Sequence, residues 1–298
     1  MKAAFKYFFY WLALMIMGVI LFALPAYIVA TLMSGEAIDP TSLGDDPWFM
    51  SILLLGADLV PLFVFWYRKY ARFNFKLHDD FGPRFSVSKL YLWAAVGCIG
   101  CLMLDVVFGD IIEFPEWDTE GLESLDVMAE NPIGLLVICL TGPLVEEVVF
   151  RGAILRRLLE KRYQPWLAIL ISAIFFAVAH GNFTQGLTAI VIGCFMGWVY
   201  HRTRNLWPCV FIHALNNTAA CALGYTLQNT AYADMDNFPW KVLVTMLIIS
   251  IIMIALSVKS IGLLTRDRTP LPPPMMEPIV PMPEAASEPT SQDTPSAL

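Results

Sequence analysis

Eight apolar stretches, each close to the length that crosses a bilayer, set what this chain can fold into. They run over residues 8–32, 49–67, 88–109, 133–155, 166–182, 186–201, 207–226 and 241–264. A helix needs about 20 residues to span the hydrocarbon core. In lipid every backbone N–H and C=O must be paired within the segment or with a neighbour. Such segments fold as helices, so the chain reads as an all-α polytopic membrane protein with about eight transmembrane helices. Composition agrees, with 57% of the 298 residues hydrophobic, only 15% charged and a mean hydropathy of +0.62. A soluble domain would carry about 25% charge. The lipid bilayer is therefore the expected partner, and no basic run interleaved with aromatics suggests nucleic acid.

The loops alternate in charge. The first is acidic (Glu36, Asp39, Asp45, Asp46) and the second basic (Arg68, Lys69, Arg72, Lys76, Arg84, Lys89). The third is acidic again (Asp110, Glu113, Glu116, Asp118, Glu120, Glu123). Arg156, Arg157, Lys161 and Arg162 follow segment four, and Arg202 and Arg204 follow segment six. The positive-inside rule places every basic loop, and with them both termini, in the cytoplasm. The first apolar run, from Tyr7 to about Met33, exceeds the 7–15 residues of a signal-peptide core and reads as a retained helix.

Three regions are expected: an N-terminal three-helix membrane region over 1–132 with acidic and basic loops, a membrane core over 133–264, and a Pro-rich cytoplasmic tail over 265–298. That tail is too polar to bury a core and is expected to be disordered. No internal repeat points to an inverted-repeat transporter. Cys98, Cys101, Cys139, Cys194, Cys209 and Cys221 all fall in apolar segments, where thiols pack as small hydrophobes.

The polar residues inside these segments are the exceptional feature. Glu146 and Glu147 are adjacent in segment four, where one carboxylate at the bilayer centre costs about 2.5–3.5 kcal/mol. Arg151 lies one turn after Glu147 on the same face and supplies a countercharge. Glu146 points about 100° away from Glu147 and is freer to meet a water or a substrate. Gly142-Pro143 just before the pair frees a backbone carbonyl and opens space for a cavity. Segment five ends with Phe176 and His180 on one face, and segment seven holds His213 and Asn217 one turn apart. A glutamate beside a histidine suits deprotonating a water, and a histidine beside an asparagine suits holding an oxyanion. With about 1.5 Å of rise per residue, Glu146 lies about 15 Å from Arg156, His213 about 10 Å from Trp207 and His180 about 21 Å from Trp166. His180 is thus the deepest of the set. Asp58 and Asp105 are intramembrane acids without a motif, read as helix-bonding or cavity-hydrating groups, and Asn216 as an interhelical hydrogen-bonding group. His78 and His201 read as solvated.

Glu146-Glu147-xxx-Arg151, Phe176-xxx-His180 and His213-xxx-Asn217, in that order over residues 133–226, resemble the motifs of the CPBP family. That family includes the CaaX prenyl proteases and the bacteriocin-processing or Abi proteins. The resemblance implies an all-helical intramembrane endopeptidase with its site open to the cytosolic half of the membrane. It implies that Glu146 activates water with His180, that His213 and Asn217 stabilise the oxyanion, and that Glu147, Arg151 and Phe176 support them. The substrate would be a membrane-associated peptide or protein, and the setting the cytoplasmic membrane of a bacterium. No cofactor is expected, with zinc as the alternative, since His180, His213 and Glu146 would make a two-histidine, one-carboxylate set. Two other functions remain open: a non-enzymatic immunity protein that binds a peptide or toxin, and a proton-coupled transporter.

Overall fold

The computed structural model describes residues 1–36, 38–71, 81, 85–112, 125, 127–228 and 238–267. The Pro-rich tail, His78 and most of the second and third loops, including Arg72, Lys76, Arg84 and Glu113–Glu123, lie outside them. The described residues form eight long helices with no strands: α1 Lys2–Ser34, α2 Pro47–Tyr67, α3 Val87–Ile111, α4 Pro132–Glu160, α5 Pro165–Ala179, α6 Phe183–Thr203, α7 Trp207–Gln228 and α8 Trp240–Leu264. Each covers one of the apolar segments. Six are long and apolar enough to cross a membrane, namely α1 (from Ala4), α2, α3, α4, α6 and α8. At 15 residues, α5 spans only about 22 Å. Its companion α7 is long enough, but His213, Asn216 and Asn217 dilute its apolar character. The chain is a multi-pass membrane protein.

Residues Met1–Arg268 make one compact unit, which contains both the 1–132 region and the 133–264 core. In it α4 is central and touches α1, α2, α5, α6 and α7, while α1 lies along α2, α3 along α8, and α5 along α6. Small residues set the closest crossings, as expected where lipid gives helices no hydrophobic drive to associate. A Cβ on Gly18 would stand 2.2 Å from the Gly56 carbonyl oxygen, and one on Gly97 would stand 2.2 Å from the Phe195 ring. On the outside, Ile20, Leu24 and Leu32 of α1 and Ile248, Ile251 and Ile252 of α8 are exposed, the aliphatic coat that lipid requires.

The helix ends sort by charge onto two faces. The Met1 amino group donates to the Tyr163 hydroxyl at 2.8 Å, Arg156 to the Tyr70 carbonyl at 2.7 Å, and Arg202 to the Thr265 hydroxyl at 2.8 Å. These bonds gather the basic loops, the amino terminus and the end of α8 on one basic face. Opposite, Asn131 donates to the Pro47 carbonyl at 2.9 Å, and the Phe238 amide donates to Asp110 at 2.8 Å. Those bonds tie the loops of the acidic face.

Candidate active site

The centre of the site is built by α4. Its helix is interrupted twice by wider π-type turns, over Val137–Thr141 and Val148–Leu155, on either side of the regular turn Gly142–Glu147 that carries the glutamates. Such insertions cluster at functional sites because they re-aim side chains. The first follows from the sequence. The Gly142 amide bonds back to the Val137 carbonyl, so in this register the next carbonyl, that of Ile138, would need an N–H from residue 143. That residue is Pro143, which has none. Asn217 Nδ2 of α7 donates to the orphaned Ile138 oxygen at 2.9 Å instead. Beyond the second wide turn's start, the Phe150 carbonyl accepts from Ser172 of α5 at 2.9 Å.

Glu147 and Arg151 are fully buried and paired, Arg151 Nη1 to Glu147 Oε1 at 2.6 Å. The guanidinium also donates to the Gly193 carbonyl of α6 at 3.3 Å and lies over the Phe176 ring at 4.5 Å. His213, also buried, stands between the two glutamates. Its Nδ1 meets Glu147 Oε1 at 3.0 Å, and its Nε2 is 3.6 Å from Glu146 Oε2. A carboxylate only accepts, so Nδ1 carries the proton toward Glu147, and Nε2 is the atom turned to Glu146. The adjacent glutamates thus converge on one imidazole, although they diverge along the helix. Cys98 of α3 and Cys209 of α7 help set this register, donating through sulfur to the Ile212 and Met196 carbonyls at 3.3 Å each.

His180 sits at the C-cap of α5, where the short helix has already ended. The helix is unbroken from Pro165 to Ala179, so His180 keeps the depth counted from Trp166. Its Nδ1 donates to the Phe176 carbonyl at 2.8 Å, which leaves Nε2 as an acceptor. The Phe176 ring stands edge-on to both imidazoles, 4.8 Å from His180 and 5.3 Å from His213. His180, His213, Asn217 and Phe176 line one cavity of about 840 Å³. Glu146, whose side chain is 26% exposed, is not among the lining residues and is linked to the cavity through its approach to the lining residue His213. Among the described residues His180 and Glu146 share no hydrogen bond.

Two acids outside the motifs join the site. Asp58 of α2, buried, accepts from the Thr141 hydroxyl at 3.0 Å and is close enough to Glu146 for the two carboxylates to repel. The backbone of Gly142, one turn before Glu146, makes room for it, since a Cβ there would lie 3.7 Å from Asp58 Oδ2. Asp105 of α3 lines the cavity together with Thr188 of α6, whose hydroxyl donates to the Gln185 carbonyl at 3.1 Å. An acid in a spanning helix was the one available signal for both. The partner of Asp58 could not be read, because Thr141 is ordinary in sequence. As for zinc, no group of three or more His, Cys, Asp or Glu side chains among the described residues is arranged to hold a metal ion. Glu146 and His213 approach each other directly, and Nδ1 of His213 is committed to Glu147.

Comparison with known proteins fits this geometry. Residues 129–219, which contain every motif residue, match the family described as type II CAAX prenyl endopeptidase Rce1-like. Over those residues the chain is similar to that family, the one its motifs resemble. A Bacillus subtilis (strain 168) protein named "Putative membrane peptidase YdiL" is 29% identical to this chain over 141 residues, 46% of this chain and 57% of that protein. The chain thus spans a little over half the length of that relative. No solved structure matches it.

Proposed function

We propose that this protein is an intramembrane endopeptidase of the CPBP type, in the bacterial cytoplasmic membrane, that hydrolyses a peptide bond of a membrane-associated protein or peptide. The observation that carries the reading is His213 fixed between Glu147–Arg151 and Glu146 at the wall of a cavity that also holds His180 and Asn217. In the proposed reaction, Glu146 takes a proton from a water at the cavity edge, and that water attacks the scissile carbonyl carbon. The negative charge that develops on the carbonyl oxygen is met by Nε2–H of His213, when the ring carries both protons, and by the second amide proton of Asn217. Glu146 then returns its proton to the leaving amine. His180, with Nδ1 anchored, offers Nε2 to orient the attacking water. Glu147, Arg151 and Phe176 hold His213 and touch no substrate.

The test is incubation of purified protein in detergent with a peptide pool, read by mass spectrometry for new termini. Site-specific cleavage lost in Glu146→Gln supports the peptidase. Peptide retention without cleavage, unchanged in Glu146→Gln, would replace it with a binding protein. Substrate-dependent proton flux in liposomes without cleavage would replace it with a transporter.

A further inference from the structure

The cavity does not open where the family resemblance implies. Its lining residues belong to the ends of helices that meet the acidic face. Asp105 is six residues from the end of α3, Glu130 lies two residues before the start of α4, Gln185 follows the α5–α6 turn, and Tyr225 is in the last turn of α7. Glu130 and Tyr225 are exposed, whereas His213 and Phe176 at the inner end are buried. The basic face, with Tyr163, Tyr70 and Arg202, contributes none of the lining residues. Between cavity and basic face stands the packed core around Phe150, Ile154 and Met196.

Charge makes the same distinction. The walls carry Asp105 and Glu130 and neither Lys nor Arg among the described residues. In sequence, residues 35–47, 112–131, 180–182 and 229–239, between the helices, contain several acids and no Lys or Arg. Arg151, the nearest buried cation, is held by Glu147. A low-dielectric cleft lined by one sign of charge focuses its field and attracts the opposite sign. A chain end bearing a free α-carboxylate would enter against two carboxylates with no cation to receive it, and unpaired like charge is how a site rejects a ligand.

Resting on the peptidase reading above, we infer that the substrate enters from the acidic face, which the positive-inside rule sets outside the cytoplasm, as an internal peptide segment carrying Lys or Arg. A cytoplasmic carboxy-terminal tail does not fit this cavity. The substrate class is therefore the extracytoplasmic juxtamembrane segment of a membrane protein, or a cationic peptide at the outer leaflet.

Two measurements test this, and the first needs no activity. Tyr225→Cys at the mouth, Ser42→Cys on the acidic face and Arg157→Cys on the basic face are treated with a membrane-impermeant maleimide in spheroplasts, each read above the parent protein. The inference expects Tyr225→Cys and Ser42→Cys to label in intact spheroplasts and Arg157→Cys only after permeabilisation. Labelling of Tyr225→Cys only after permeabilisation would overturn entry from outside. The second compares end-capped peptides that share one cleaved bond and differ in flanking Lys or Glu, together with an uncapped version ending three residues past the bond. The Lys peptide should exceed the Glu and uncapped peptides in kcat/KM by about tenfold or more at low salt, with the gap shrinking as salt screens it and in Asp105→Asn. Equal rates, or preference for Glu or a free carboxylate, would overturn the charge reading. Cleavage of none of them would sink the peptidase reading, and labelling would still decide which face the cavity serves.

Discussion

Removal of the Arg151 guanidinium gives the sharpest test of how the site is held together. Arg151→Met keeps the length and apolar volume of the side chain but leaves Glu147 buried with His213 as its one remaining partner. Removing one member of a buried ion pair costs about 3–5 kcal/mol, because the other charge stays uncompensated. The stack on Phe176 and the bond to the Gly193 carbonyl go with it. Arg151→Lys retains a charge near Glu147 but cannot reach two acceptors and lie flat on a ring at once. Its cost should fall between wild type and Arg151→Met, near the ~1.5–3 kcal/mol of a hydrogen bond to a charged group. The double change Glu147→Gln with Arg151→Met removes the stranded charge and should recover part of the loss, a non-additivity expected of residues in one network. Unfolding in mixed detergent micelles, followed by tryptophan fluorescence, gives the stabilities of these four proteins and of Glu147→Gln alone, which completes the cycle. Arg151→Met as stable as wild type, or a double variant as unstable as the sum of the singles, would refute the account of a buried network.

The same unfolding assay checks two further points. Asn217→Ala should cost about 1–3 kcal/mol by stranding the Ile138 carbonyl, and Pro143→Ala, which restores an N–H at residue 143, should reduce that penalty; an unchanged penalty would show that the wide turn does not orphan Ile138. Gly18→Ala drives a Cβ into the Gly56 carbonyl, so α1 and α2 must separate at a cost of about 1–3 kcal/mol, and a neutral result would contradict the close crossing.

The all-α, multi-pass character was legible because apolar length is a coarse signal that lipid enforces, whereas six rather than eight of the helices are long and apolar enough to cross a membrane. The pairing of Glu147 with Arg151 was legible too, since an i, i+4 spacing survives the local widening of α4. The 100° separation of Glu146 and Glu147 predicted separate tasks from regular helix geometry. What it could not contain was α7, whose His213 reaches both acids through opposite ring nitrogens. Pro143 signalled a freed carbonyl, but that Asn217 would cap it depends on tertiary packing. This gives Asn217 a structural duty beside its proposed chemical one. The depth of His180 follows from its count from Trp166, since α5 is unbroken to Ala179, but that the helix ends there and leaves the imidazole at a cap was not legible. The direction in which the cavity opens was invisible in the motifs, which fix residue types and order but not which helix ends diverge.

The central claim is that Glu146 drives peptide hydrolysis. It is tested most directly by the cleavage rate of one identified peptide with wild type and Glu146→Gln, at saturating peptide, with and without a chelator. The account predicts a fall in kcat of about 10²–10⁴-fold, the usual contribution of a positioned general base, with peptide affinity retained and the wild-type rate indifferent to chelator. Full-rate cleavage by Glu146→Gln, or wild-type cleavage abolished by chelator and restored by zinc, would contradict it.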